Sequence, residues 1–145
     1  MFNPGTTSEM VTAVGRAARD AARADGAGSE FSRGQLMSAF SASRHLSVEL
    51  ARFPAELEAF AAAVTNELVG AEAVACPSEL DAIARQLATA SDAPRIGDLV
   101  AAGLDLLRED PAPAARRLRK SLRRRLRALS EREVDLLADV IERLP

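Results

Sequence analysis

Eight basic side chains lie close together near the end of the chain, and they are the residues best suited to bind another molecule. The segment 114–129 reads AARRLRKSLRRRLRAL and holds eight of the 19 basic residues, with no acidic residue among them. Guanidinium groups in such numbers bind carboxylates or phosphates. The basic residues are Arg116, Arg117, Arg119, Lys120, Arg123, Arg124, Arg125 and Arg127.

Leucines recur at helical spacing within the same segment. At 100° per residue, Leu118, Leu122, Leu126 and Leu129 fall within about 80° of arc, and cations occupy most of the remaining surface. Like charges four residues apart, such as Arg119 and Arg123, each cost about 0.2–0.5 kcal/mol. The helix therefore requires stabilisation by tertiary packing or by an anionic partner.

The first interpretation is that the protein supplies the counter-charge itself, within its fold or across a dimer. Ser130-Glu131-Arg132-Glu133 has the pattern of a capping box and predicts a last helix that folds back as an antiparallel hairpin. Four acidic residues then lie on one flank of that helix and could meet the arginines. They are Glu131, Asp135, Asp139 and Glu142.

Two other interpretations place the counter-charge outside the protein. Several cations on one helix could contact nucleic-acid phosphates without reading sequence, and an anionic membrane surface or an acidic protein could also bind them. In each case we expect an anion- or partner-binding surface made of Arg116, Arg119, Lys120, Arg123, Arg124 and Arg127. A helix-turn-helix over Leu80–Leu104 is disfavoured, because its second helix is mainly acidic.

Composition predicts an all-α protein. Of the 145 residues 48% are apolar, largely alanine and leucine, the only aromatics are five phenylalanines, and β-branched residues never cluster. Residues 1–110 carry a net charge of −7 and residues 111–145 a net charge of +5. We expect a bundle of six or seven helices, with an acidic body (1–110) and a basic C-terminal hairpin (111–145) packed on it as one domain.

Local signals predict where helices begin and end. Thr6-Thr7-Ser8-Glu9 and Ser32-Arg33-Gly34-Gln35 are capping boxes that predict the first two helix starts. Phe53-Pro54 predicts a helix end, because the residue before proline is disfavoured in a helix, and Ser78 is expected to cap a short helix after Pro77. The first helix is predicted to bury one apolar stripe: Met10, Val14, Ala17, Ala18 and Ala21.

The sequence contains no recognisable catalytic constellation. His45 is the only histidine, and its spacing from Glu49 indicates a solvated side chain rather than a catalytic one. Cys76 is the only cysteine and is interpreted as a small apolar residue in a turn rather than as a reactive thiol. Since glycine-rich phosphate loops are also missing, we expect neither enzyme activity nor a metal or cofactor.

These observations lead to a functional expectation. A single cysteine, no signal-peptide pattern and no apolar run of membrane-spanning length predict a cytoplasmic protein. Several amphipathic helices without an active site predict a small non-enzymatic interaction or regulatory module that self-associates through apolar helix faces. The alternative is a nucleic-acid-binding protein that uses the Arg116–Arg127 helix on phosphates.

Overall fold

The computed structural model describes residues 6–24 and 28–142, except the side chains of 137 and 139–142, and its regular elements are all α-helices. Within these residues there are five: α1 (Thr7–Arg23), α2 (Glu30–Val69), α3 (Pro77–Leu87), α4 (Ala93–Glu109) and α5 (Pro113–Glu142). The all-α prediction is confirmed. The predicted count of six or seven is too high, because two predicted breaks lie inside continuous helices.

Pro54 lies within α2 and Ser130 within α5, so the helix end at Phe53-Pro54 and the C-terminal hairpin were wrong predictions. An interior proline costs about 3 kcal/mol, and the buried residues of α2 that follow it, Leu57, Phe60 and Ala61, stabilise the continuous helix. Serine costs only a few tenths of a kcal/mol in a helix interior, and neither glycine nor proline follows Ser130 before the last residue. A capping-box pattern alone does not end a helix.

The predicted helix starts have mixed outcomes. The capping box of α1 is confirmed, since the Thr6 amide donates to Glu9 Oε2 at 2.7 Å and the Glu9 amide donates to Thr6 Oγ1 at 3.3 Å. The second box was wrong, because α2 begins at Glu30 and places Ser32 inside the helix. Ser78 was also wrong as a cap, since α3 begins one residue earlier.

The chain divides into two compact units. One comprises Met1–Pro54 with Glu133–Pro145, and the other comprises Ala55–Arg132. Both α2 and α5 contribute residues to each unit. The units therefore do not coincide with the segments 1–110 and 111–145 that differ in charge.

The second unit contains the larger described core. The end of α2, all of α3 and α4, and the first part of α5 each contribute buried apolar side chains, most of them aliphatic. These residues are Leu57, Phe60, Ala61, Val64, Leu68, Leu80, Ile83, Ala84, Leu87, Ile96, Leu99, Val100, Leu107, Ala115 and Leu122. This core fixes the orientation of α5 within its unit.

In the first unit, α1 packs antiparallel against the first part of α2 through small residues. The Ser8 hydroxyl donates to the Ser47 carbonyl at 2.8 Å. A Cβ at Gly15 would lie 1.8 Å from Ser43 Oγ, so only glycine permits this approach of the two helices. The Arg19 guanidinium lies over the Phe40 ring, 5.4 Å from its centre.

The apolar stripe predicted for burial on α1 faces outward instead. Met10 is 49% exposed and Val14 is 69% exposed, and Ala17 and Ala21 are exposed beside them. Only Ala18 of the predicted stripe is half-buried. The close contact at Gly15 decides the orientation of α1, because it brings the Ser8–Gly15–Ala22 side of the helix against α2.

Asp110 ties the loop after α4 to the segment that precedes α3. Its carboxylate accepts a hydrogen bond from the Ala75 amide at 2.6 Å and another from the Ala112 amide at 2.8 Å. The bond from Ala75, followed by that from Ala112, lowers the pKa of Asp110 below its usual value. The ionised carboxylate thus holds the start of α5 in place.

We expect Asp110→Asn to destabilise the protein at pH 7 and the difference from the wild type to disappear in acid. Because the folded-state pKa of Asp110 is lowered, its stabilisation is complete well above the unfolded value of about 3.9 and is lost as the pH falls through the lower folded value. Urea unfolding at pH 7 and at pH 2–3 measures this. Asp105→Asn, at an exposed carboxylate paired with Arg108, is the control; an equal pH dependence in both variants would contradict the prediction.

Candidate functional site

The arginine-rich helix is the first part of α5, and its leucine face packs into the core of the second unit. Ala115 and Leu122 are fully buried, and Leu118, Leu126 and Leu129 are half-buried. The wheel calculated from the sequence placed these residues on one face, and the structure brings that face inward. The opposite face of the helix is directed to solvent.

In the described part of this unit, two ion pairs join α5 to α2. Arg125 Nε donates to Glu67 Oε1, and Arg132 Nη1 lies 3.2 Å from Glu56 Oε1. The Glu67 side chain is only 20% exposed, and its second oxygen is buried without a hydrogen bond from the described residues. Among the described residues, Arg125 is therefore the cation that neutralises the largely desolvated carboxylate of Glu67.

The remaining cations of the helix have no ion-pair partner among the residues that the structure describes. Arg116, Arg117, Lys120, Arg123, Arg124 and Arg127 are exposed and Arg119 is half-buried. No carboxylate of the described residues lies within 4.0 Å of any of these seven basic groups. Neither of the exposed residues Glu131 and Asp135 forms the predicted ion pair with these cations. The other two predicted partners, Asp139 and Glu142, have side chains that lie outside the described residues.

The unpaired cations form two rows along α5. One row consists of Arg116, Arg119 and Arg123, and the other of Arg117, Lys120 and Arg124; Arg127 continues the surface one turn further. Each row has the spacing i, i+3, i+7, and a helix advances 100° per residue, so the mean directions of the rows differ by about 100° around the axis. Together the seven cations form a continuous arc of about 160°. We call these seven residues the arginine surface. Five of them line a shallow depression together with Ser121.

Six residues of the arginine surface are those predicted from the sequence, and Arg117 is the addition. The pairing of Arg125 with Glu67 cannot be predicted from the sequence, since 58 residues separate the two. A signal was nevertheless present: on the wheel Arg125 lies apart from the other cations, beside the leucine face. An arginine at such a position commonly pairs with a carboxylate of the packing neighbour.

The other candidates are not brought into a site by the structure. His45 is half-buried on α2, and Cys76 is a half-buried free thiol that precedes α3 without capping it through its side chain. Among the described residues no group of three or more histidine, cysteine, aspartate or glutamate side chains could hold a metal ion.

Comparison with protein-family models, curated proteins and solved structures produced no match for this chain. None of the helices that the structure describes is both long enough and apolar enough to cross a membrane.

The Glu67–Arg125 pair should respond asymmetrically to removal of its partners. We expect Arg125→Gln to cost about 1–3 kcal/mol of the unfolding free energy, because it leaves a largely buried carboxylate unpaired. Glu67→Gln should cost about 1 kcal/mol or less, because the Arg125 side chain is 39% exposed and can be hydrated.

A double-mutant cycle in urea unfolding checks this asymmetry. The double variant should cost less than the sum of the two single changes, since neither charge then remains alone. The more exposed pair of Glu56 and Arg132 is the matched control and should give a coupling of about 0.2–1 kcal/mol. Equal costs for Arg125→Gln and Glu67→Gln would show that burial of Glu67 is not the deciding factor.

Proposed function

We propose that this chain is a non-enzymatic, cytoplasmic interaction module that binds nucleic acid through the arginine surface of α5. The observation that supports this is the exposure of the surface, whose cations have no described carboxylate nearby although an acidic body belongs to the same chain. If these cations served to stabilise the fold, we would expect them to form ion pairs with carboxylates of the chain, as Arg125 and Arg132 do.

The energetics favour a partner with a dense negative charge. Like-charge neighbours along α5 repel each other, and packing of the leucine face stabilises the helix without neutralising these charges. Phosphates remove the repulsion at several positions at once, and release of counterions from nucleic acid adds to the free energy of binding. Arginine also donates two parallel hydrogen bonds to one phosphate, which strengthens each contact.

Binding should be strongly dependent on salt and on the arginine surface. With fluorescence anisotropy on a labelled 20-base-pair duplex, we expect binding at about 50 mM salt that weakens at least tenfold at about 200 mM, because each phosphate contact contributes about −0.9 to the logarithmic salt slope. The triple variant Arg123, Arg124 and Arg127→Gln should weaken binding and flatten the slope.

The matched control changes three other exposed arginines, Arg16, Arg33 and Arg85, to glutamine. It removes the same charge and should retain most of the affinity at both salt concentrations. Absence of binding by the wild type at 50 mM salt would reject the proposal. If the two triple variants lost the same amount of affinity, the nucleic acid would not bind specifically to α5.

A second candidate function is self-association through the apolar face of the first unit. Among the described residues of that unit only Gly15, Ala22 and Ser43 are buried, whereas Val14 is 69% and Leu46 is 45% exposed. So small a core contributes little to stability, and burial of the outward-facing apolar side chains against a second copy would stabilise it.

Val14→Asp should therefore shift the protein toward the monomer. A charge at this position opposes burial of the apolar stripe of α1 against a second copy. The control is Val69→Asp, which makes the same change at a comparably exposed valine in the second unit. Light scattering after size exclusion at micromolar concentration measures both. A monomeric wild type would remove this candidate, and an equal effect of the two variants would place the contact elsewhere.

A further inference from the structure

We infer that the nucleic acid bound by the arginine surface is double-stranded, with each row of cations contacting the phosphates of one strand. This inference rests on the proposed function and specifies the form of its partner. The observation behind it is the width of the cationic surface, which covers about 160° of the circumference of α5 from Arg119 to Arg117, with one row along each side and Arg127 between their directions.

The separation of the rows matches two strands rather than one. An α-helix with its side chains is about 10–12 Å across, and the major groove of duplex DNA is about 12 Å wide. Side chains at the two edges of this arc, such as Arg119 and Arg117, reach toward opposite borders of a groove, where the two phosphate backbones run. A single strand offers one line of phosphates and can engage only one row fully.

The residues around the rows lack the features that recognise single strands or bases. Proteins that bind single strands stack bases on aromatic side chains, and all five phenylalanines of the chain precede α5. Residues 111–145 also contain neither asparagine nor glutamine, the side chains that read adenine through paired hydrogen bonds. Contacts to the backbone of a duplex are what this surface can make, independently of base sequence.

The length of the surface limits the number of base pairs that it contacts. From Arg116 to Arg127 the helix advances about 16 Å, at about 1.5 Å per residue. One turn further the exposed residue Glu131 repels phosphates and ends the cationic surface. At about 3.4 Å per base pair, this corresponds to a contact of about five base pairs.

Direct titration of nucleic acids of equal length tests the inference. The full chain is titrated into a labelled 16-base-pair duplex and into each of its two separated strands, by fluorescence anisotropy at about 50 and 150 mM salt. We expect the duplex to bind at least tenfold more tightly than either strand, and a duplex of scrambled sequence to bind within about twofold of the first.

Two variants with the same loss of charge examine the rows separately. Arg116 and Arg123→Gln changes two exposed residues of one row, and Lys120 and Arg124→Gln changes two of the other. Both should weaken duplex binding by similar factors, and each should reduce the logarithmic salt slope by about 1.8, for two contacts at about 0.9 each. Arg16 and Arg33→Gln is the control for charge, and circular dichroism establishes that every variant is folded.

The outcomes separate this inference from the function on which it rests. A single strand that binds as tightly as the duplex, or a row variant that leaves duplex binding unchanged, would overturn the two-strand arrangement while nucleic-acid binding stands. If neither the duplex nor the strands bind at 50 mM salt, the proposed function itself is rejected.

Discussion

The arrangement of the first part of α5 depends on the burial of Ala115 and Leu122 in the core of the second unit, to which both residues belong. The first part of this helix carries eight cations, and their mutual repulsion opposes the helical conformation in isolation. Apolar packing on one face, together with the Glu67–Arg125 pair, supplies the compensating stability. Because the leucine face is fixed inward, the geometry of a helix requires the two rows of cations to face outward.

The same constraint explains why one arginine differs from its neighbours. Arg125 lies beside the leucine face, so packing of that face brings it to the carboxylate of Glu67, which is largely removed from water. A partly desolvated pair of this kind orients α5 within its unit. The arginines on the opposite face have no such neighbour among the described residues, and their charge remains available to a partner.

Two sequence signals that were interpreted as helix ends coincide instead with the boundaries of the compact units. Pro54 is the last residue of the N-terminal segment of the first unit, and Ser130 lies two residues before Arg132, where the second unit ends. The helix nevertheless continues through both positions, although Pro54 has no N–H and leaves one helical hydrogen bond unmade. A change in pattern and a break in a helix look alike in one sequence, and only the structure distinguishes them.

The sequence by itself determined the helical class, the leucine face of α5, the capping of α1 by Thr6 and Glu9, and the clustering of cations on the side of α5 opposite its leucines. Each of these follows from local spacing, which side-chain geometry and backbone hydrogen bonding make readable. The tertiary structure decided that α5 continues through Ser130, that Met10 and Val14 face outward, and that Glu67 pairs with Arg125. Those outcomes depend on contacts between residues far apart in the chain, such as Gly15 with Ser43, whose energies outweigh local preference.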